Sequence, residues 1–180
     1  SNSKKKIYTN ITFVDIAGLV KGASKGEGLG NKFLSHIKEV DAIIHLVRCF
    51  ESDKITHVNS KINPVDDLET IKTEIILSDL DIIQKKLEKG KKKLLGEKEI
   101  KILEDKLKQL NDGKEVIAND KNEEKFLNTL GLLSIKPKII VCNVDEESVA
   151  KGNSFTESVK KNYSEEKVVT ICADIEDQIM

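Results

Sequence analysis

Hydrophobic positions along this chain follow two rhythms. Short β-branched runs at Ile7 to Val14, Ala42 to Val47, Lys138 to Cys142 and Val168 to Cys172 are each followed by polar or glycine-containing sequence, the pattern of strands bounded by loops. Between them the period lengthens. Asn31 to Val40 sets Phe33, Leu34 and Ile37 on one helical face, and Ser154 to Tyr163 likewise predicts a helix. Strand and helix in alternation predict an α/β fold with a parallel sheet. The uninterrupted apolar stretches Ile43-Ile44 and Ile139-Ile140-Val141 suit strands covered on both faces.

The interval 65–118 breaks the alternation. It holds no strand pattern and is dense in Lys, Glu, Leu and Ile. Ile76, Leu80, Ile83 and Leu87 recur at helical spacing, as do Ile100, Leu103, Leu107 and Leu110, so each set forms an apolar seam of coiled-coil type. Gly90 and Gly96 bracket a lysine-rich break, and the two helices are expected to return antiparallel. The expected division is a sheet domain from 7–64 and 119–180, with an inserted helical coiled-coil arm at 65–118.

Composition narrows the class. The 180 residues suffice for one domain carrying such an arm. Aromatic residues make up only 4% and Trp is absent, so the core must be aliphatic. Thirty basic against thirty-one acidic residues give a net charge of -1, which excludes an overall basic nucleic-acid-binding protein. Charge is nevertheless uneven: Lys85 to Lys108 holds ten Lys and five acids. This stretch is either a solvated coiled-coil surface or a contact for the phosphate backbone of RNA or a ribosome, with Lys89, Lys91, Lys92 and Lys93 as its candidates. Cys49, Cys142 and Cys172 lack framework spacing and read as buried thiols in a reducing compartment. No run of 18 apolar residues occurs, so a cytoplasmic chain without membrane contact is expected.

In parallel sheets ligands bind beyond the carboxyl ends of the strands. After the first run comes Asp15-Ile16-Ala17-Gly18, leading into a loop in which five of the ten glycines fall between Gly18 and Gly30. Such a loop can move or approach a ligand closely. After the third run stands Asn143-Val144-Asp145-Glu146, and the fourth ends at Cys172-Ala173. Each has a plainer reading: Asp15 as a strand-end turn and Asn143 as a helix cap. His45, inside an apolar run, is expected to be a core histidine, and His36 a helix-surface one.

Asp15 through Asn31, with Val47-Arg48-Cys49-Phe50-Glu51 and His57-Val58 downstream, closely resembles the YchF family of P-loop NTPases, which is related to the Obg GTPases. The resemblance covers nearly the whole chain. It implies a TRAFAC-type GTPase fold with a coiled-coil insertion, nucleotide hydrolysis with Mg²⁺, engagement of the translation machinery, and a preference for ATP over GTP in some members. It further implies that Asp15 reaches Mg²⁺ through water and that the Gly18 N–H meets a γ-phosphate oxygen. Leu19 stands where related GTPases carry a water-orienting Gln. An apolar side chain cannot orient water, which leaves His57, otherwise an ordinary loop histidine, as the catalytic candidate. The usual base-recognition pattern Asn-Lys-x-Asp is replaced here by Asn143-Val144-Asp145-Glu146. Glu146 is one methylene longer than the Asp that clamps guanine, whereas Asn143 can still pair with either purine. ATP with GTP tolerated is therefore the expected preference, with the Ala173 N–H facing the base.

No G-x-x-x-x-G-K-[S/T] occurs in the 180 residues. The chain thus reads as an internal piece of such a protein, lacking the P-loop and the C-terminal TGS domain, and unlikely to hydrolyse nucleotide alone. Unpaired strand edges would follow, and with them a homodimer or a rearranged sheet. Two other readings remain: an RNA- or ribosome-binding module built on the basic arm, and an interaction protein whose seams pair with a partner helix.

Overall fold

The computed structural model describes residues 9–15, 37, 39–52, 62–90 and 95–179. Three strands, β1 (Ile43–Arg48), β2 (Lys138–Asn143) and β3 (Lys167–Ile171), form a parallel sheet in that order. Ile43 pairs with Lys138 and Arg48 with Asn143; on the other side Ile139 pairs with Lys167 and Asn143 with Ile171. All three strands therefore end level, at Arg48, Asn143 and Ile171.

The α/β architecture expected from the alternation is present, with one correction. The predicted strand Ile7 to Val14 does not form over its described part: residues 9–15 adopt no regular secondary structure and join no ladder. Ile11 and Phe13 are each 77% exposed. Alternating apolar residues specify a strand's faces but not its neighbour, and a strand without a partner leaves its backbone to water.

One face of the sheet is covered. Val47, Ile140 and Cys142 pack against Leu68 of helix α1 (Pro64–Gly90) and Val159 of helix α4 (Ser154–Asn162). On the other face Ile44, Leu46 and Val169 are exposed among the described residues. Helix α1 starts where Asn63 caps it, with Asp66 and Asp67 in its first turn and Lys89 in its last, as its dipole favours.

At about 40 Å for 27 residues, α1 outruns the sheet and builds the arm. Its second half packs on helix α2 (Glu97–Asn111) through the two expected seams: Ile76, Leu80, Ile83, Leu87, Ile100, Leu103, Leu107 and Leu110 all join one apolar cluster. At Gly90 the chain passes close to Leu95: a Cβ there would lie 2.4 Å from the Leu95 side chain, which would have to shift to admit it. A helix the sequence pattern missed, α3 (Lys121–Asn128), seats Phe126 and Leu127 in the same cluster. Its N-cap Asp120 accepts the Asn122 and Glu123 amides at 2.7 and 2.9 Å, which hold the carboxylate below its usual range.

Two buried polar groups tie the arm together. Lys106, fully buried, meets Glu123 at 2.6 Å and Asp105 at 3.1 Å, and Glu123 also accepts from the Asn119 amide. Lys106 therefore does not belong to the basic surface counted from sequence. Asp79 accepts the Leu133 and Ser134 amides at 2.8 and 2.9 Å and the Ser134 hydroxyl at 2.5 Å, pinning α1 to the segment that enters β2. Burial nevertheless pushes the Asp79 carboxyl above its ordinary value, against those hydrogen bonds.

Candidate functional site

The level strand ends are locked by hydrogen bonds between loops distant in sequence. The Cys49 amide donates to the Asn143 carbonyl at 2.8 Å, carrying the β1–β2 pairing one residue past β1, and the Val144 amide donates to the Ile171 carbonyl at 2.9 Å. Beyond β3 the chain turns at Cys172 into helix α5 (Ala173–Ile179). There the Ala173 amide donates to Asn143 Oδ1 at 3.0 Å. The Ala173 N–H, expected to face a base, is instead engaged by Asn143. Parallel pairing brings these two residues side by side, and the nearest acceptor takes the donor.

Among the described residues no group pairs with Asn143 Nδ2, so the fixed carboxamide presents its two N–H bonds away from Ala173. Val144 and Cys172 are buried and serve as the floor. Asp145 opens a short 3₁₀ turn, Glu146–Ser148, by accepting the Ser148 amide at 2.9 Å, and Glu146 is exposed on that turn.

Asn153 is a residue that sequence reasoning missed. It caps α4 by accepting the Thr156 amide at 3.0 Å, and its side-chain amide reaches 104 residues back to the Cys49 carbonyl at 2.7 Å and on to Ser148 Oγ at 3.3 Å. The loops after β1 and β2 are thus held by one side chain. The cap itself was legible, as Asn followed three residues later by Thr; its long-range partner was not. Gly152 precedes it with φ of +74°, a left-handed conformation that glycine adopts freely. After β1, Arg48 donates to the Phe50 and Ser52 carbonyls at 3.0 and 3.2 Å and stacks on the Phe50 ring at 4.9 Å.

Asp15 ends the unpaired segment and is exposed; no described side chain bonds to it, and among the described residues no group of three or more His, Cys, Asp or Glu is placed to hold a metal. Gly18, Leu19, His36, His57, Lys91, Lys92 and Lys93 lie outside the described residues. Lys89 lies exposed in the last turn of α1.

The remaining histidine and the cysteines are structural. His45 is half-buried in β1 and lines a cavity of about 30 Å³ with Leu68, Lys138 and Tyr163. Burial, and then the neighbouring Lys138 charge, lower its pKa to about 4, so it is neutral near pH 7. This cavity involves the first residue of β2, the opposite end from Asn143, and has room for about one water. All three Cys are buried and free. A hydrogen bond shared with Cys142, and then burial, push the Cys49 thiol far above its ordinary range, which leaves it unreactive. No helix among the described residues is long and apolar enough to cross a membrane.

A parallel sheet whose level strand ends carry an Asn-x-x-Glu turn and a following Cys-Ala corner, interrupted by a helical arm, has the α/β architecture of the GTPase class of folds. The family described as a 50S ribosome-binding GTPase matches residues 2–144. The chain belongs to that family and, within it, to the YchF group. It is 42% identical over 191 aligned residues to the ribosome-binding ATPase YchF of Bacillus subtilis (strain 168), covering 99% of this chain and 52% of the relative. To the protein of that name from Haemophilus ducreyi it is 44% identical over 187 residues, covering 99% and 51%. The solved structure of the Schizosaccharomyces pombe YchF GTPase superposes with a TM-score of 0.75 at 31% identity, covering 91% of this chain and 48% of that one. The chain spans about half the length of the curated relatives it matches.

Proposed function

We propose that this chain is the base-recognising part of a cytoplasmic, nucleotide-switched ATPase or GTPase that engages the ribosome. The observation that carries this reading is the Asn143 carboxamide, oriented by the Ala173 amide at 3.0 Å with its nitrogen left to donate. A donor at that place meets N7 of a purine, which adenine and guanine share. Glu146, on the exposed turn three residues on, carries its carboxylate one methylene beyond the position of the guanine-clamping Asp and does not reproduce that geometry, so ATP is preferred and GTP tolerated. The base side of a nucleotide fits these residues. The phosphate side has no cradle motif among the 180 residues, and Gly18 contributes one amide toward it.

ATP or GTP with Mg²⁺, when bound, would supply the phosphoanhydride and the charge compensation for its cleavage. Asp15 would hold the Mg²⁺ through water, and His57 would take the proton of an attacking water, which Leu19 cannot do. Residues 65–118 and the helix packed on them form the arm, whose Lys89, Lys91, Lys92 and Lys93 meet the phosphate backbone of ribosomal RNA. The proteins named above as ribosome-binding ATPases support engagement of the ribosome.

The test is titration of fluorescent ATP and GTP analogues into the chain with Mg²⁺. Binding tighter than about 100 μM, roughly -5.5 kcal/mol, is expected for ATP. N143A should weaken both nucleotides about tenfold, the loss of one hydrogen bond that is buried on binding. Absence of binding, or equal binding by N143A, would remove base recognition from these strand ends.

A further inference from the structure

We propose that Asn153 is a specificity-positioning residue of the base site: it fixes the turn carrying Glu146 relative to Asn143, so that Glu146 cannot draw back to accept from guanine. This rests on the base-recognising role of Asn143 proposed above. The two ends of the Asn153 carboxamide serve different elements. Its Oδ1 accepts the Thr156 amide at 3.0 Å in α4, while Nδ2 donates to the Cys49 carbonyl at 2.7 Å after β1 and to Ser148 Oγ at 3.3 Å after β2. A carbonyl and an amide demand opposite partners, so the side chain has one orientation.

The base of this bracket is itself fixed. The Asn153 amide donates to Thr156 Oγ1 at 2.8 Å, Thr156 is fully buried, and Val159 packs α4 on the sheet. The Gly152 amide donates to the Ser148 carbonyl at 2.7 Å, and a Cβ on Gly152 would lie 2.7 Å from Thr156 Oγ1. Both bracketed loops end at the base site. Cys49 is held by Asn153 at its carbonyl and donates its amide to the Asn143 carbonyl at 2.8 Å. Ser148 closes the turn Glu146–Ser148, with its amide on Asp145 Oδ1 at 2.9 Å. One side chain therefore sets the spacing between Asn143 and Glu146.

That spacing decides between bases. Guanine offers N–H donors to a carboxylate where adenine offers an acceptor. Glu146, one methylene longer than Asp, meets those donors only if its backbone retreats by about 1.5 Å, one C–C bond, and hydrogen bonds do not tolerate errors of that size. A turn tied to α4 and to Cys49 does not retreat. Released from Asn153 it can, and GTP then gains on ATP.

The experiment titrates fluorescent ATP and GTP analogues with Mg²⁺ into the parent chain, N153D, S148A and the double variant E146A/N153D. N153D keeps the oxygen that caps α4 and loses both donors, so helical circular dichroism should be unchanged. GTP binding should strengthen about tenfold relative to ATP, the effect of one hydrogen bond gained, and amide exchange at Cys49 should quicken about tenfold. S148A, which leaves the cap untouched, should shift the ratio in the same direction by a smaller factor, and E146A/N153D should show no shift relative to E146A. An ATP to GTP ratio unmoved in N153D and S148A, a shift that persists without Glu146, or unchanged exchange at Cys49 would each overturn the proposal. N143A separates the two readings. If it binds as the parent does, or if the parent binds neither nucleotide, the base site falls and the role of Asn153 with it; weakened binding by N143A beside an unmoved ratio in N153D overturns the role of Asn153 alone.

Discussion

The helical arm and the sheet solve the same burial problem differently. In the arm every seam position has an apolar neighbour, the buried Lys106 is paired with Glu123 and Asp105, and the buried Asp79 accepts two backbone amides. The sheet is finished on one face only, where Val47, Ile140 and Cys142 meet α1 and α4, while Ile44 and Leu46 on the other face remain exposed among the described residues. The strand ends likewise keep an amide donor at Asn143 that nothing described pairs with. Satisfied groups hold a structure together, and unsatisfied ones are where ligands and partners can gain free energy. The arm's interior is thus the stabilising region and the sheet's rim the interacting one.

The sharpest way to break this contrast is inside the arm. K106A leaves Glu123 buried without its counter-charge and should cost about 3–5 kcal/mol in urea unfolding, whereas the paired K106M/E123L change should be close to neutral. Equal stability of K106A and the parent would show that the arm's buried charges are solvated after all. Next in size is the pH response of the covered face. His45 has its folded pKa depressed to about 4 from an ordinary 6.5 or so, so its contribution is fully present above about pH 6.5 and is lost as pH falls toward 4. Unfolding free energy should therefore decline in that window by less than about 1.4 kcal/mol per pH unit. The H45Q variant should lose that part of the slope, and an unchanged slope would point to other groups. The smallest effect separates the two faces of the sheet. V169T on the open face should change stability by under about 0.5 kcal/mol. V159T, at a fully buried position against the covered face, should cost about 1–3 kcal/mol for its unpaired hydroxyl. Comparable losses at both positions would mean that the open face is covered in solution.

Much of this division was legible in the chain. The eight seam residues from Ile76 to Leu110 were placed on facing helices by spacing alone, and all eight pack together. Three of the four strands appeared within a residue or so of their runs. The polar residues were misread for a physical reason: Lys106 in a lysine-rich stretch looks like surface, and only its neighbour on α3, 17 positions away, makes burial affordable. Nor does any local pattern mark Asp79 for burial, since its donors Leu133 and Ser134 are 54 and 55 residues distant. At the strand ends the residue types Asn143, Glu146 and Ala173 were identified from their motif, but the bond from Ala173 to Asn143 was not.

By itself the sequence determined what is local and periodic: the seams, the β-branched runs and the family motif, because each depends on neighbours within a turn or two. Tertiary structure alone decided which run obtained a ladder, which charges went inside, and how Asn143, Asn153 and Ala173 came together. Those outcomes depend on partners tens of residues away, and no local pattern carries the identity of a distant partner.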